Sequence, residues 1–180
     1  MCGIAGYIGK FLPRFSHLKK TSTVLQHRGP DGEGFYTHCH QKKSVALVHR
    51  RLAIIDPDSR SDQPFHYNGT VLIYNGEIYN YLEVRKELES LGHVFKTNGD
   101  TEVLSHALFQ WGEDSLNKLE GMWAFAWYNE TTGTLLLSRD RFGEKPLYLW
   151  SKNNGLYFAS EVKALAILAN DSLKVNENHL

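Results

Sequence analysis

The chain predicts an α+β or layered α/β domain, and three observations carry that expectation. Its 180 residues suit one compact domain, and a 42% hydrophobic composition is enough to build a core. Apolar, β-prone runs recur at 3–8, 44–49, 71–74, 122–128, 134–138 and 156–159. Helical patterns lie between two groups of these runs, which calls for layers of sheet and helix. No internal repeat, low-complexity tract or Pro/Gly/Ser-rich linker divides the chain.

Taken in order, several of the runs are apolar at successive positions instead of alternating, which suits strands covered on both faces. After the run at 3–8, a weaker helical pattern covers 17–26. The runs at 44–49 and 71–74 follow. At 81–91 the residues Tyr81, Val84, Leu88 and Leu91 form one stripe, with Asn80 placed to cap the start and Gly92 to end it. At 101–111 a second stripe, Val103, Leu104, Ala107, Leu108 and Trp111, stops at Gly112. Trp123, Trp127 and Trp150 sit in strand-like segments, where core packing is expected. The segment 160–169 reads as a helix closing a domain of residues 2–169, and 170–180 reads as a polar tail.

Composition excludes several function classes. Twenty basic residues balance twenty acidic ones, so the basic excess that a nucleic acid or anionic membrane would want is missing. The longest apolar stretches, such as 122–127, fall far short of the roughly 18 residues a bilayer span requires. The opening M-C-G-I-A-G-Y-I-G lacks a basic leader and a long apolar region, so a cytoplasmic protein is expected. Two cysteines, Cys2 and Cys39, are too few for a disulfide framework. His38-Cys39-His40 has no third-ligand pattern and argues weakly for zinc. The glycine-rich segment 28–34 lacks the lysine and helix of a phosphate loop. Asp140-Arg141-Phe142-Gly143 reads as a turn.

Cys2 carries the chemistry. Removal of Met1, which is favoured when a small residue follows, makes Cys2 the mature N-terminus. Its α-amine, with a pKa of about 7.7–8.0, is then free base up to roughly one third of the time near pH 7.4, against ~0.1% for a lysine. The chain end can serve as general base for the thiol on its own residue. The alternative is a small buried residue opening an edge strand. Asn75-Gly76 offers a carboxamide and a backbone N–H as oxyanion donors. Asn-Gly is also a common hairpin turn, but a capped helix follows it here instead of a pairing strand. Arg51 has the planar fork that suits a carboxylate, or is a solvated strand-end charge. Asp100 could accept an ammonium, with Glu77 assisting, or serve as a first-turn acid of the helix behind it.

Together these segments resemble the class II, N-terminal nucleophile glutamine amidotransferase domain of the asparagine synthetase family. The resemblance runs over nearly the whole chain. It rests on M-C-G-I-A-G at 1–6, H-R-G-P-D-G at 27–32, H-R-R-L-A-I-I-D at 49–56 and Y-N-G-E-I-Y-N at 74–80. It continues through G-D-T-E at 99–102, L-E-G-M-W-A-F-A at 119–126, S-R-D-R-F-G-E-K-P-L-Y at 138–148 and A-S-E-V-K-A-L at 159–165. The resemblance implies a four-layer αββα sandwich of two mainly antiparallel sheets. It implies Cys2 as nucleophile with its own amine as base, and Asn75 and Gly76 as the oxyanion hole. Arg51 would grip the glutamine α-carboxylate beside a wall of Leu52, Ala53, Ile54 and Ile55. Glu77 and Asp100 would take the α-ammonium, and Arg28 would shape the pocket floor. The implied reaction hydrolyses L-glutamine to glutamate and ammonia through a Cys2 thioester. Ammonia would pass to an ATP-dependent synthetase domain making asparagine from aspartate, in cis or in trans. This stretch contains no S-G-G-x-D-S pyrophosphate loop. ATP and Mg2+ are therefore implied only for that other domain, and no cofactor or metal for this one. A different acceptor, such as a sugar, glycan or peptide, stays open, as does a non-catalytic glutamine- or partner-binding domain if Met1 is retained. A homodimer is a family expectation.

Overall fold

The computed structural model describes residues 1–171, so 172–180 of the expected polar tail lie outside the described residues. The first half runs β1 (Gly3–Gly9), α1 (Phe15–Val24), β2 (Gly32–His40), β3 (Lys43–Arg51), β4 (Phe65–Tyr67) and β5 (Thr70–Ile78). The second runs α2 (Tyr81–Ser90), α3 (Asp100–Trp111), β6 (Gly121–Asn129), β7 (Thr134–Arg139), β8 (Tyr148–Lys152), β9 (Gly155–Ala159) and α4 (Val162–Leu168). Two antiparallel sheets form, in the orders β2-β3-β1-β9-β8 and β4-β5-β6-β7.

The sheets stack face to face, and the reason lies in the successive apolar residues. On β3, Val45 and Leu47 point into the layer between the sheets, while Ala46 and Val48 point out towards α1 and α4. On β6, Ala124 and Ala126 point inwards, while Trp123 and Phe125 pack beneath α2 and α3. A strand covered on both faces needs apolar residues at every position. Three apolar layers therefore separate four structural ones, and the αββα sandwich expected from the resemblance is what forms.

Three strands fall outside the apolar runs read from the sequence: β2, β4 and β8, of which only the strand-like surroundings of Trp150 in β8 gave a sign. All lie at sheet edges. An edge strand is covered less completely, so its apolar signal is diluted; β2 reads G-E-G-F-Y-T-H-C-H. Element ends also differ. Helix α1 starts and stops two residues early, because residues 25–29 close into tight turns through Leu25 O and Gln26 O. Asn80 does not cap α2. Its carboxamide instead bridges Lys118 O (2.9 Å) and the Glu120 N–H (2.9 Å), tying α2 to the segment before β6. Gly92 and Gly112 end their helices as expected, both at positive φ. Ser160 stays outside α4, because its hydroxyl accepts from the Ile4 N–H (3.0 Å) and anchors the start of β1. Of the tryptophans, Trp123 is core, while Trp127 and Trp150 are half-buried against it.

Two buried histidines act as neutral struts. His49 on β3 donates from Nε2 to Tyr74 O on β5 (3.2 Å), a polar link between the two sheets. Burial pushes its pKa down to about 3, with Arg51 and Arg50 acting in the same direction. His106 on α3 stacks on Tyr67 with ring centres 3.7 Å apart, and burial lowers its pKa to about 4. Unfolding releases both to an ordinary value near 6.5, so the unfolded chain binds more protons below that pH. Stability should therefore be fully present at neutral pH and fall below about pH 6.5. The slope should reach up to ~1.4 kcal/mol per pH unit for each histidine. Urea unfolding at pH 7, 6 and 5 measures this, and an unchanged midpoint for the two histidines' share, read as the difference from His49→Gln and His106→Gln, would refute it.

Candidate active site

A cavity of about 150 Å³ opens where the leading end of β1, the trailing end of β3, the middle of β5 and the start of α3 converge. Cys2, Arg51, Leu52, Ile54, Ile55, Asn75, Gly76, Glu77 and Asp100 all line it. Ala53 does not. Its N–H donates to the Asp31 carboxylate (2.9 Å), which fixes the loop from outside the cavity. Arg28 also lies behind the site, donating from Nε to Cys2 O (3.0 Å) and from Nη1 to Glu161 (3.3 Å). It holds the Cys2 backbone and forms no part of the lining.

The Cys2 thiol accepts from the Leu52 N–H (3.4 Å) and faces Leu52 O at 3.8 Å. Burial pushes its pKa up; the Leu52 bond and the positive charges of the chain start and Arg51 oppose this only in part. The resting group is therefore a thiol and not a thiolate. With Met1 present, the Cys2 nitrogen is a peptide amide and has no basicity. The Met1 side chain also lines the cavity, where its sulfur accepts from Lys145 Nζ (3.0 Å).

Asn75 and Gly76 lie inside β5, opposite Ala124 and Trp123, and do not form a turn. Their placement follows from a short neighbour. Strand β4 pairs only with Thr70, Val71 and Leu72, so the outer edge of β5 is bare beyond that point. Alternate residues of an antiparallel strand turn their backbone groups to the same side. Tyr74 is satisfied there by side chains: its N–H donates to Gln63 Oε1 (2.6 Å) and its carbonyl accepts from His49. Two residues further past Gly76, the Ile78 N–H donates to Asp100 Oδ2 (3.1 Å). The Gly76 N–H, on the same edge between them, faces the cavity. A Cβ at this position would stand 2.3 Å from Met122 O and 2.6 Å from the Tyr74 ring, so only glycine fits. Beside it the Asn75 Nδ2 is buried without a hydrogen-bond partner. Two uncommitted donors thus meet in one cavity with the thiol.

Arg51 is more occupied than the sequence suggests. Nη1 donates to Asp58 O (2.9 Å) and Asp62 Oδ1 (2.6 Å), and Nη2 donates to Asp56 O. The guanidinium thus holds the 52–62 loop in shape as it lines the cavity. Asp56, at positive φ, ties the same loop to the segment before α3 through the Asn98 N–H (2.8 Å). Asp100 is buried, and desolvation raises its pKa against the bonds from Ile78 and Tyr74 that lower it. Glu77 is exposed at the mouth.

The sequence reading missed Gln63, Tyr74, Met122 and Lys145, which also line the cavity. Lys145 is set by the expected turn at 140–143, in which the Asp140 carboxylate accepts from the N–H groups of Phe142 (3.1 Å), Glu144 (2.9 Å) and Lys145 (2.9 Å). The motif S-R-D-R-F-G-E-K was visible, but nothing in it told that its lysine folds back over Met1. His38 and Cys39 are used elsewhere, bonded to Tyr128 Oη (3.0 Å) and Ser44 Oγ (3.4 Å).

A family model described as the glutamine amidotransferase domain matches residues 1–180. The chain belongs to this family. The domain is 40% identical over 178 residues to asparagine synthetase [glutamine-hydrolyzing] 1 of Bacillus subtilis, covering 95% of this chain and 27% of that one. It is 39% identical over 172 residues to the asparagine synthetase of Zea mays, covering 92% and 28%. A putative asparagine synthetase of Methanocaldococcus jannaschii is 35% identical over 196 residues, covering 99% and 37%. The amidotransferase domain therefore spans about a third or less of the length of these relatives. In fold it matches the glutamine phosphoribosylpyrophosphate amidotransferase of B. subtilis, with a TM-score of 0.75 at 23% identity over 93% of this chain and 44% of that chain. The activity of the family is enzymatic glutamine hydrolysis, and no described helix of this amidotransferase domain is long and apolar enough to cross a membrane.

The raised thiol pKa has a direct consequence for the chain that retains Met1. Iodoacetamide should modify Cys2 more slowly than an ordinary thiol at pH 7, and its rate should climb to a midpoint above the usual cysteine range. Peptide mapping across pH 7 to 10 checks this; a midpoint below that range would contradict it.

Proposed function

We propose that the domain hydrolyses L-glutamine at Cys2 and supplies ammonia to a synthetase. The observation that carries this reading is the pair of uncommitted donors, Asn75 Nδ2 and the Gly76 N–H, in the cavity that holds the thiol. Loss of Met1 frees the Cys2 amine. That amine takes the thiol proton as sulfur attacks the side-chain amide carbon, which suits a thiol that burial keeps protonated. The carbonyl oxygen becomes an oxyanion between the two donors. The C–N bond then breaks, and the Cys2 ammonium returns its proton to the departing nitrogen as ammonia. Water, deprotonated by the same amine, attacks the thioester carbon; the C–S bond breaks to give glutamate, and the Cys2 ammonium returns the proton to the departing sulfur. Arg51 and the wall of Leu52, Ile54 and Ile55 take the α-carboxylate, and Asp100 with Glu77 takes the α-ammonium. A site with paired charges rejects analogues that leave one charge unmatched.

The relatives' names support asparagine synthesis as the destination of the ammonia. In this reading ATP and Mg2+ belong to the synthetase part. A different acceptor uses the same hydrolytic half. Retention of Met1 favours the non-catalytic reading, because Met1 acylates the amine and occupies the cavity.

Two measurements test the reading. A chain whose intact mass lacks one methionine should release ammonia from glutamine, and Cys2→Ala should lower the rate by roughly three orders of magnitude or more. Asn75→Ala should lower kcat about 10²-fold with little change in KM. Undiminished turnover by Cys2→Ala would sink the proposal.

A further inference from the structure

We propose that Tyr74 is a positioning residue whose hydroxyl turns Asp100 into a receptor for an α-ammonium group. It thereby sets selectivity for amino acids over their des-amino analogues. The inference rests on the proposed glutamine site and deepens it.

The Tyr74 hydroxyl donates to Asp100 Oδ2 at 2.8 Å, and the Ile78 N–H donates to the same oxygen at 3.1 Å. Two donors on one oxygen fix the rotation of the carboxylate and direct Oδ1 away from them. Asp100 is the first residue of α3 and lines the cavity, yet no ion pair among the described residues engages it. A buried carboxylate without a cation is costly, and a ligand's ammonium would complete the pair. The groups facing it are Tyr74 and Glu77 from β5 and Cys2 from the start of β1.

Tyr74 is itself held at every polar atom. Gln63 accepts from its N–H, His49 donates to its carbonyl, and its ring packs in the core beneath α2 and α3. The pinned backbone and the packed ring hold the hydroxyl oxygen beside Asp100. Burial and the Asp100 charge also push the phenol well above its ordinary pKa, so it remains a donor at every physiological pH. Its bond to Asp100 favours the ionised carboxylate, against the burial that favours the neutral form.

The test compares L-glutamine with 4-carbamoylbutanoate, which is glutamine without its amine. Binding to the Met1-processed Cys2→Ala chain is followed by calorimetry. Tyr74→Phe should weaken glutamine about 10-fold and leave the analogue within about twofold. On an Asp100→Asn background the same substitution should change neither ligand, because the two residues act through one bond. In the active chain, Tyr74→Phe should raise KM about 10-fold with kcat within about threefold, and move the acid limb of kcat/KM to higher pH. Equal weakening of both ligands, an unchanged affinity for glutamine, or an effect that persists with Asp100→Asn would each overturn the inference. If the unsubstituted processed chain neither binds nor hydrolyses glutamine, the proposed function falls first. If it does both, only the role of Tyr74 is at stake.

Discussion

The bare outer edge of β5 is the constraint on which the site depends. A strand edge inside a packed domain cannot leave its N–H and carbonyl groups unpaired without cost. Strand β4 covers this edge for three residues and then turns away. Beyond it, the carboxamide of Gln63, the imidazole of His49 and the carboxylate of Asp100 each supply a partner that a neighbouring strand would have supplied. Each comes from a different element, so the edge gathers β3, the loop before β4 and the start of α3 around one point. The Gly76 N–H is the edge donor that these side chains leave to a ligand. A reactive cavity is what remains when an edge is almost, but not wholly, satisfied.

The same arrangement explains why Cys2 is held firmly. Strand β1 lies between β3 and β9, with seven paired positions on one side and four on the other. Ser160 accepts from Ile4 at its start, Arg28 donates to the Cys2 carbonyl, and Leu52 donates to the thiol. The freedom left is that of one N-terminal residue. Arg51, spent largely on the backbone of its own loop, holds the opposite wall with comparable firmness. Both sides of the cavity are preorganised by groups that do no chemistry themselves.

Much of this was legible in the sequence, and the limits have physical reasons. Doubly covered strands such as β3 and β6 advertise themselves because every position is apolar. The edge strands β2, β4 and β8 do not, because solvent dilutes their pattern. Asn75, Gly76 and Asp100 could be picked out by residue type and neighbourhood. Tyr74 and Gln63 could not, because each looks like an ordinary core or loop residue until the missing stretch of β4 gives its polar atoms something to do. Asn80 misled for a related reason. A residue that can cap a helix can equally bridge two backbone groups from elsewhere, and only the tertiary approach of 118–120 decides between them. Ala53 points the same way: a run of four wall residues was expected, but the loop turns one of them outwards to Asp31.

The charge balance of the chain acquires a local meaning in the cavity. Among the charged side chains of its lining, Arg51 and Lys145 stand against Glu77 and Asp100, two of each sign. A lining of one sign would concentrate simple anions or cations by long-range attraction. A balanced one gains nothing from net charge and discriminates only through where each charge stands. That arrangement suits a zwitterion, in which a carboxylate and an ammonium are separated by a single carbon. A fixed rotation of Asp100 fits the proposed site: where opposite side-chain charges offset one another, selectivity rests on short contacts, and a carboxylate free to turn would spread its charge over the cavity. The neutrality of the whole chain is thus matched, on the scale of one cavity, by paired opposite charges among the lining side chains.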